Sequence, residues 1–220
     1  MIEGEAMHDS CLLCGSETTL IHAKQADYQY CPACEFISKD ARFLLTPVQE
    51  RQEYDLHQNS LEDPRYVAYF NRFLDSAVFP FVQKGREALD FGSGPTPVLS
   101  QLLERDHGFT VDIYDLYYAQ KKSYLGKTYD LITCTEVLEH LNNPLKYFRL
   151  FKKLLKPNGI LSVMTQLHHN DASHFLRWHY IQEASHISFY SNVTLGFLAK
   201  EAGLEMLYSD GIRYTAFSNR

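Results

Sequence analysis

From residue 87 onward, short apolar segments alternate with amphipathic segments of helical period, and this alternation constrains the fold more than any other feature of the chain. Strands are expected at about 87–91, 110–114, 129–134 and 159–165, and helices near 96–106 and 144–156. Asn143-Pro144 opens the second helix, and Lys156-Pro157-Asn158-Gly159 closes it. Apolar strands separated by helices belong to a parallel sheet covered on both faces. A last helix follows Ser191 and stops at Gly203, and two strands at about 204–209 and 212–218 are joined by Ser209-Asp210-Gly211 as a hairpin. Upstream, Thr46-Pro47-Val48-Gln49 has the N-cap, N1 proline and capping-box glutamine of a helix start. A second helix begins at Asp63-Pro64, carries Tyr66, Phe70, Phe73 and Ala77 on one face, and ends before Pro80. Tyr54 to Asn59 lie between these helices, either covering a site or forming a packed elbow.

Four of the five cysteines precede residue 35, as Cys11-x2-Cys14 and Cys31-x2-Cys34 with 16 residues between the pairs. That spacing is a zinc pattern: each pair forms a knuckle, and two knuckles close an all-thiolate tetrahedron with no position left for water. The expected zinc is therefore structural. Two disulfides are the alternative, but they need an oxidising compartment that nothing in the sequence suggests. Cys134, in an apolar strand, reads as an inert core thiol.

No apolar run approaches the ~18 residues of a membrane span. The acidic start Met1-Ile2-Glu3-Gly4-Glu5 has no signal-peptide pattern, so a cytoplasmic location is expected. A net charge of −6 opposes affinity built on phosphate contacts. Lys146, Arg149, Lys153 and Lys156 share one side of a helix, as a solvated face does.

The chemistry begins at Asp90-Phe91-Gly92-Ser93-Gly94, where the first strand turns into the first helix. Glycines there let a ligand lie against the backbone at the carboxyl edge of the sheet, and the helix N-terminus offers free N–H groups. Asp115, at the end of the second strand, is placed to accept hydrogen bonds from ribose hydroxyls. A dinucleotide fingerprint fails because Pro97 stands where its third glycine belongs, and a P-loop at Gly126-Lys127-Thr128 fails because Lys121 replaces its first glycine.

Asp90-x-Gly92-x-Gly94, Asp115, Tyr129-Asp130-Leu131-Ile132, Thr135-Glu136-Val137-Leu138-Glu139-His140-Leu141, Leu155-Lys156-Pro157-Asn158-Gly159-Ile160 and the closing hairpin occur in that order. Together they resemble the class I S-adenosylmethionine-dependent methyltransferases, in particular zinc-ribbon methyltransferase-like bacterial proteins and ubiquinone-biosynthesis-type O-methyltransferases. The resemblance implies a Rossmann-like sheet of seven strands, one antiparallel. It implies cofactor contacts from Asp90, Phe91, Gly92, Ser93, Gly94, Asp115, Leu116 and Glu136. Two departures stand out: Thr96 replaces the third glycine, and only the 13 residues Leu116 to Thr128 separate Asp115 from Tyr129. That segment holds no acid for the adenine amino group, leaving adenine to backbone contacts and to packing on Leu116 or Tyr117.

Methyl transfer from a sulfonium requires alignment, and a base only where the acceptor must lose a proton. Six of ten histidines lie between 140 and 186, and His140 and His186 are the catalytic candidates. Glu136, Glu139, His140 and His186 also resemble the metal set of small-RNA 3′-end 2′-O-methyltransferases, which implies Mg²⁺ or Mn²⁺. Trp178-His179-Tyr180 suits a flat or sugar-like acceptor, or anchors the last helices. The motif of exocyclic-amine DNA methylases is absent after the fourth strand, which disfavours DNA as a partner. The expected organisation is a zinc ribbon over 1–42, a helical cap over 43–84 and a methyltransferase domain over 85–220. The expected activity is methyl transfer to an oxygen of a small molecule or glycan precursor. RNA ribose methylation and a non-enzymatic zinc-ribbon interaction module are the alternatives.

Overall fold

The structure, a computed structural model, describes residues 10–55 and 60–220. Most of the Tyr54–Asn59 junction, from 56 to 59, lies outside the described residues.

Two sheets organise the chain. A small antiparallel sheet is formed by β1 (Thr19–His22), β2 (Asp27–Tyr30), β3 (Ile37–Lys39) and, from far along the sequence, β8 (Ser188–Phe189). The large sheet runs in the order β5 (Thr110–Tyr114), β4 (Glu87–Phe91), β6 (Tyr129–Thr135), β7 (Leu155–Met164), β10 (Tyr214–Ser218), β9 (Glu205–Ser209). The first four pair in parallel; β10 is antiparallel to both its neighbours. Helices α1 (Pro47–Tyr54), α2 (Pro64–Phe73), α3 (Val98–His107), α4 (Pro144–Leu154), α5 (Ala172–Arg177) and α6 (Asn192–Ala202) complete the fold.

The large sheet has six strands among the described residues, one fewer than the family resemblance implies. The 13 residues after Asp115 turn back at once, with the Asp115 N–H bonded to the Ala119 carbonyl, and cannot supply both a strand and its crossover helix. Helix α4 also ends at Leu154 rather than 156, because the chain is already extended at Leu155.

Burial explains the layers. Residues Phe70 and Phe73 of α2, continued by Leu74, Ala77 and Val78, pack with Leu99, Leu102 and Leu103 of α3 on one face of the sheet. Phe148 and Phe151 of α4 and Leu195 and Leu198 of α6 cover the other face. At ~1.5–3 kcal/mol per fully buried large side chain, these two layers supply much of the driving force that holds the parallel strands together. Lys146, Arg149 and Lys153 are exposed, as a solvated helix face requires. Cys134 is fully buried, and burial raises its thiol pKa well above normal. Helix α1 is different: its capping box forms as expected, yet none of its residues is buried.

Candidate active site

The parallel strands end along one edge, and a cavity of about 780 Å³ opens there. Its first half is built from backbone. Gly92 and Gly94 adopt left-handed φ of +86° and +67°. A Cβ at Gly92 would stand 2.1 Å from Val137 Cγ2, whereas one at Gly94 would enter open space. The Gly94 N–H donates to Asp115 Oδ2 (2.9 Å), and Asp115 Oδ1 accepts the N–H groups of Tyr117 (2.8 Å) and Tyr118 (3.0 Å). Asp115 thus sets both the glycine turn and the loop that faces it. Ser93 Oγ is a buried hydroxyl with no hydrogen-bond partner among the described residues, and Leu116 is 58% exposed on the cavity wall. A cradle open above Gly94, an orphaned hydroxyl and a carboxylate with one acceptor position to spare suit the methionine and ribose ends of S-adenosylmethionine.

Asp90 and Phe91 support this turn from below. Asp90 is buried and accepts a bond from Thr133 Oγ1 (2.9 Å). Burial, aided by the charge of Asp115, pushes its pKa up to about 7. The Phe91 ring packs among Tyr114, Tyr147 and Phe151.

The second half is built from side chains. Glu136, the first residue beyond β6, has φ +52°, a conformation uncommon outside glycine. Its carboxyl accepts from Tyr69 Oη (2.5 Å) and lies 3.3 Å from Tyr180 Oη. Tyr180 Oη in turn donates to Glu139 Oε1 (2.6 Å), whose Oε2 accepts from Thr165 (2.9 Å). Burial and the adjacent Glu139 push the Glu136 pKa up to about 8, so at neutral pH Glu136 is protonated. Tyr69 comes from α2, and its pKa is raised by burial and by Glu136.

His140 and His186 converge as expected, with ring centroids 4.9 Å apart. His140 Nδ1 donates to the Ser185 carbonyl (3.0 Å), which fixes the tautomer and leaves Nε2 as the ring's acceptor, with no hydrogen-bond partner among the described residues. Burial and the neighbouring His186 push its pKa down to about 4. For His186, burial alone lowers the pKa, but the bond to Glu183 and the charge of Glu139 outweigh it and the net shift is upward. Its Nδ1 donates to the Tyr180 carbonyl (2.7 Å) and its Nε2 to Glu183 (2.7 Å).

The expected four-residue metal set is not assembled. Glu139, His140 and His186 offer ligand atoms within 4.8 Å of one another, but Glu136 belongs to the Tyr69–Tyr180 network instead. Both nitrogens of His186 and both oxygens of Glu139 are already engaged. As they stand, these residues do not fit Mg²⁺ or Mn²⁺.

The junction read as covering a site or forming a packed elbow contributes its first residue, Tyr54, to the roof of the cavity, whereas Glu50 was not anticipated. Glu50 and Tyr54 of α1 close over the cavity: Tyr54 Oη and Tyr117 Oη both donate to Glu50 (2.9 and 2.7 Å), Tyr118 Oη donates to Asp55 (2.6 Å), and the Tyr54 ring meets His140 edge-on. Tyr69 and Glu183 were also not singled out as site residues, because no local pattern marks either of them; Tyr180 was read only as part of the Trp178-His179-Tyr180 group. Trp178 packs with Phe175, Tyr180 and Phe189, which makes it the anchor of the two roles open to it.

Beside the small sheet the four cysteine sulfurs lie within 4.8 Å of one another, with Cys11–Cys34 at 3.6 Å and Cys14–Cys31 at 3.4 Å. A tetrahedron with Zn–S of about 2.3 Å has edges near 3.8 Å, and a disulfide needs about 2.05 Å. The donor set therefore fits zinc, and no disulfide joins any of the five cysteines. In both knuckles the residue after the second cysteine, Gly15 or Glu35, turns left-handed and its N–H bonds back to the first cysteine's carbonyl.

The family profile of a methyltransferase domain matches residues 57–209, well over half of the chain. The chain belongs to that family. This methyltransferase is also similar to the ubiquinone biosynthesis O-methyltransferase of Histophilus somni, 33% identical over 81 residues that make up 35% of this chain and 34% of the relative. The enzyme of the same description from Photobacterium profundum is 39% identical over 72 residues, 32% of this chain and 30% of that protein. The match thus spans about a third of the length of these curated relatives. Among solved structures, an O-methyltransferase family 2 protein from Planctomyces limnophilus, in complex with apigenin, superposes with a TM-score of 0.54 at 18% identity, covering 68% of this chain and 56% of that one. At that identity the likeness is one of fold. No helix among the described residues is long and apolar enough to cross a membrane.

Proposed function

We propose that this methyltransferase moves a methyl group from S-adenosylmethionine to a hydroxyl oxygen of a small molecule, and that its four cysteines hold one structural zinc. The observation that carries the reading is the continuity of the cavity, which runs from the glycine turn and Asp115 directly to His140, Glu136 and Tyr69. When bound, S-adenosylmethionine supplies an electrophilic methyl on a sulfonium sulfur.

The chain's own residues then have three tasks. Gly92, Ser93, Gly94, Asp115 and Leu116 bind and orient the cofactor against the end of β4. Tyr69 and the protonated Glu136 orient the acceptor through hydrogen bonds. His140 Nε2, which has no hydrogen-bond partner among the described residues, takes the acceptor's proton as the oxygen is methylated, and the nearby Glu50 and Glu183 favour the resulting imidazolium. Orientation in a closed cavity supplies the larger part of the rate. His186, held at both nitrogens, orients the wall rather than acting as a base.

Electrostatics favour a small neutral acceptor over RNA. Seven carboxyl residues and two arginines line the cavity, a field that attracts a sulfonium and repels phosphate. Calorimetric titration with S-adenosylmethionine tests the cofactor half, and release of S-adenosylhomocysteine from a panel of phenols and sugar alcohols tests the acceptor half. Absence of binding heat would hand the fold to the non-enzymatic reading, and turnover on an RNA terminus alone would overturn the small-molecule assignment.

A further inference from the structure

The acceptor wall between Tyr180 and Ile187 has a period of three. The side chains of Tyr180, Glu183 and His186 line the cavity. The carbonyls of Ile181, Ala184 and Ile187, one residue on in each case, face the opposite way and are all taken by the cysteine ribbon. Ile181 accepts from Gln25 Nε2 (3.0 Å) and Tyr28 Oη (3.3 Å). Ala184 accepts from Lys39 Nζ (2.7 Å), and Ile187 from the Lys39 N–H (2.8 Å). Beyond Ile187, β8 joins the ribbon sheet, with Ser38 opposite Ser188 and Ile37 opposite Phe189.

The zinc end of the ribbon is fastened to the same body. The Cys34 carbonyl accepts from Thr194 Oγ1 (2.8 Å), and the Glu35 carbonyl bonds His168 Nε2 (2.9 Å). Lys39 is 7% exposed, and its ammonium meets a carbonyl rather than a carboxylate. A buried ammonium held this way is costly, so it marks a place where geometry outweighs stability.

We infer that the zinc ribbon is a positioning device for the acceptor half of the active site, with Lys39 as the positioning residue that acts through Ala184 and Ile187 on His186. The inference rests on the acceptor site lying at Glu139, His140 and His186. Zinc closes the knuckles, the knuckles hold β3 in place, and β3 holds the wall. The cofactor half, built on β4 and β5, receives none of these bonds.

Hydrogen exchange on the full-length, zinc-loaded protein tests this, with S-adenosylhomocysteine as the binding probe. Lys39→Met keeps the aliphatic stem and removes the ammonium. It is expected to speed amide exchange across 181–188 by about tenfold, equivalent to ~1.4 kcal/mol of local opening. The imidazole N–H signal of His186 should broaden as well. Protection across 87–116 and affinity for S-adenosylhomocysteine should stay within about twofold. Stripping zinc with a chelator should reproduce this pattern, and Gln25→Ala, at an exposed position, should show a weaker form of it even if Lys39→Met fails to fold. Unchanged exchange at 181–188 after zinc removal, or a parallel loss in the cofactor half, would overturn the inference. The acceptor-site reading fails separately, through full turnover by His140→Ala.

Discussion

The two halves of the cavity are built by opposite means. The cofactor half comes from one stretch, residues 90–118, and works largely through backbone: two left-handed glycines and a carboxylate that gathers three N–H groups. The acceptor half joins side chains from α2, the end of β6, and the wall at 180–186, tied through phenol–carboxyl bonds. A backbone site tolerates changes of sequence around it but not at its glycines. A side-chain site can be retuned one residue at a time, which is how a common cofactor fold serves many acceptors.

Substitutions should separate the halves. Gly94→Val has the largest expected effect: its side chain fills the space open above the turn, and calorimetry should show no S-adenosylmethionine binding while circular dichroism shows the fold retained. Next, His140→Ala should leave cofactor affinity intact and lower turnover by about 10²–10⁴. Because its pKa is pushed down to about 4, His140 is already neutral above that pH. The acid limb of the rate profile should therefore fall near pH 4 rather than near 6.5, and chelators that spare the zinc should not change it. Asp115→Ala loses the ribose acceptor and the N–H cluster together, and should weaken cofactor binding by roughly a hundredfold, ~3 kcal/mol.

The smallest effect belongs to Asp90. Its folded pKa of about 7 lies above an unfolded value near 3.9, so the folded state binds more protons between those limits and stability falls as pH rises through them. Asp90→Asn keeps a partner for Thr133 and should flatten the melting temperature across that window in a thermal shift series.

The same contrast decides what could be read from sequence. Gly92, Gly94 and Asp115 were legible because strand, turn and helix are local, and the glycines report a backbone requirement that no other residue meets cheaply. Cys11, Cys14, Cys31 and Cys34 were legible because knuckle spacing is chemistry in itself. His140 and His186 were legible only as candidates, since nothing local shows that residues 46 apart in sequence will meet edge to face. Tyr69 and the roof residue Glu50 were not legible at all, and Tyr54 and Tyr180 were legible only as members of aromatic clusters with two readings each. Tyr69 sits in a helix whose spacing reports burial, and α1 packs by hydrogen bonds that leave no periodic trace.

The shortened loop after Asp115 leaves β5 at the margin of the sheet, where unpaired peptide groups invite a strand from another molecule. Three groups on that margin are satisfied locally: the Val111 N–H by Glu104 Oε1 (3.3 Å), the Ile113 carbonyl by Ser123 Oγ (3.1 Å) and the Asp115 N–H by the Ala119 carbonyl (3.0 Å). Asp112, paired with Lys127, adds charge beside them. A strand's worth of chain has been replaced by a handful of plugs, so the truncated sheet resists edge-to-edge aggregation without the strand that would otherwise cover it.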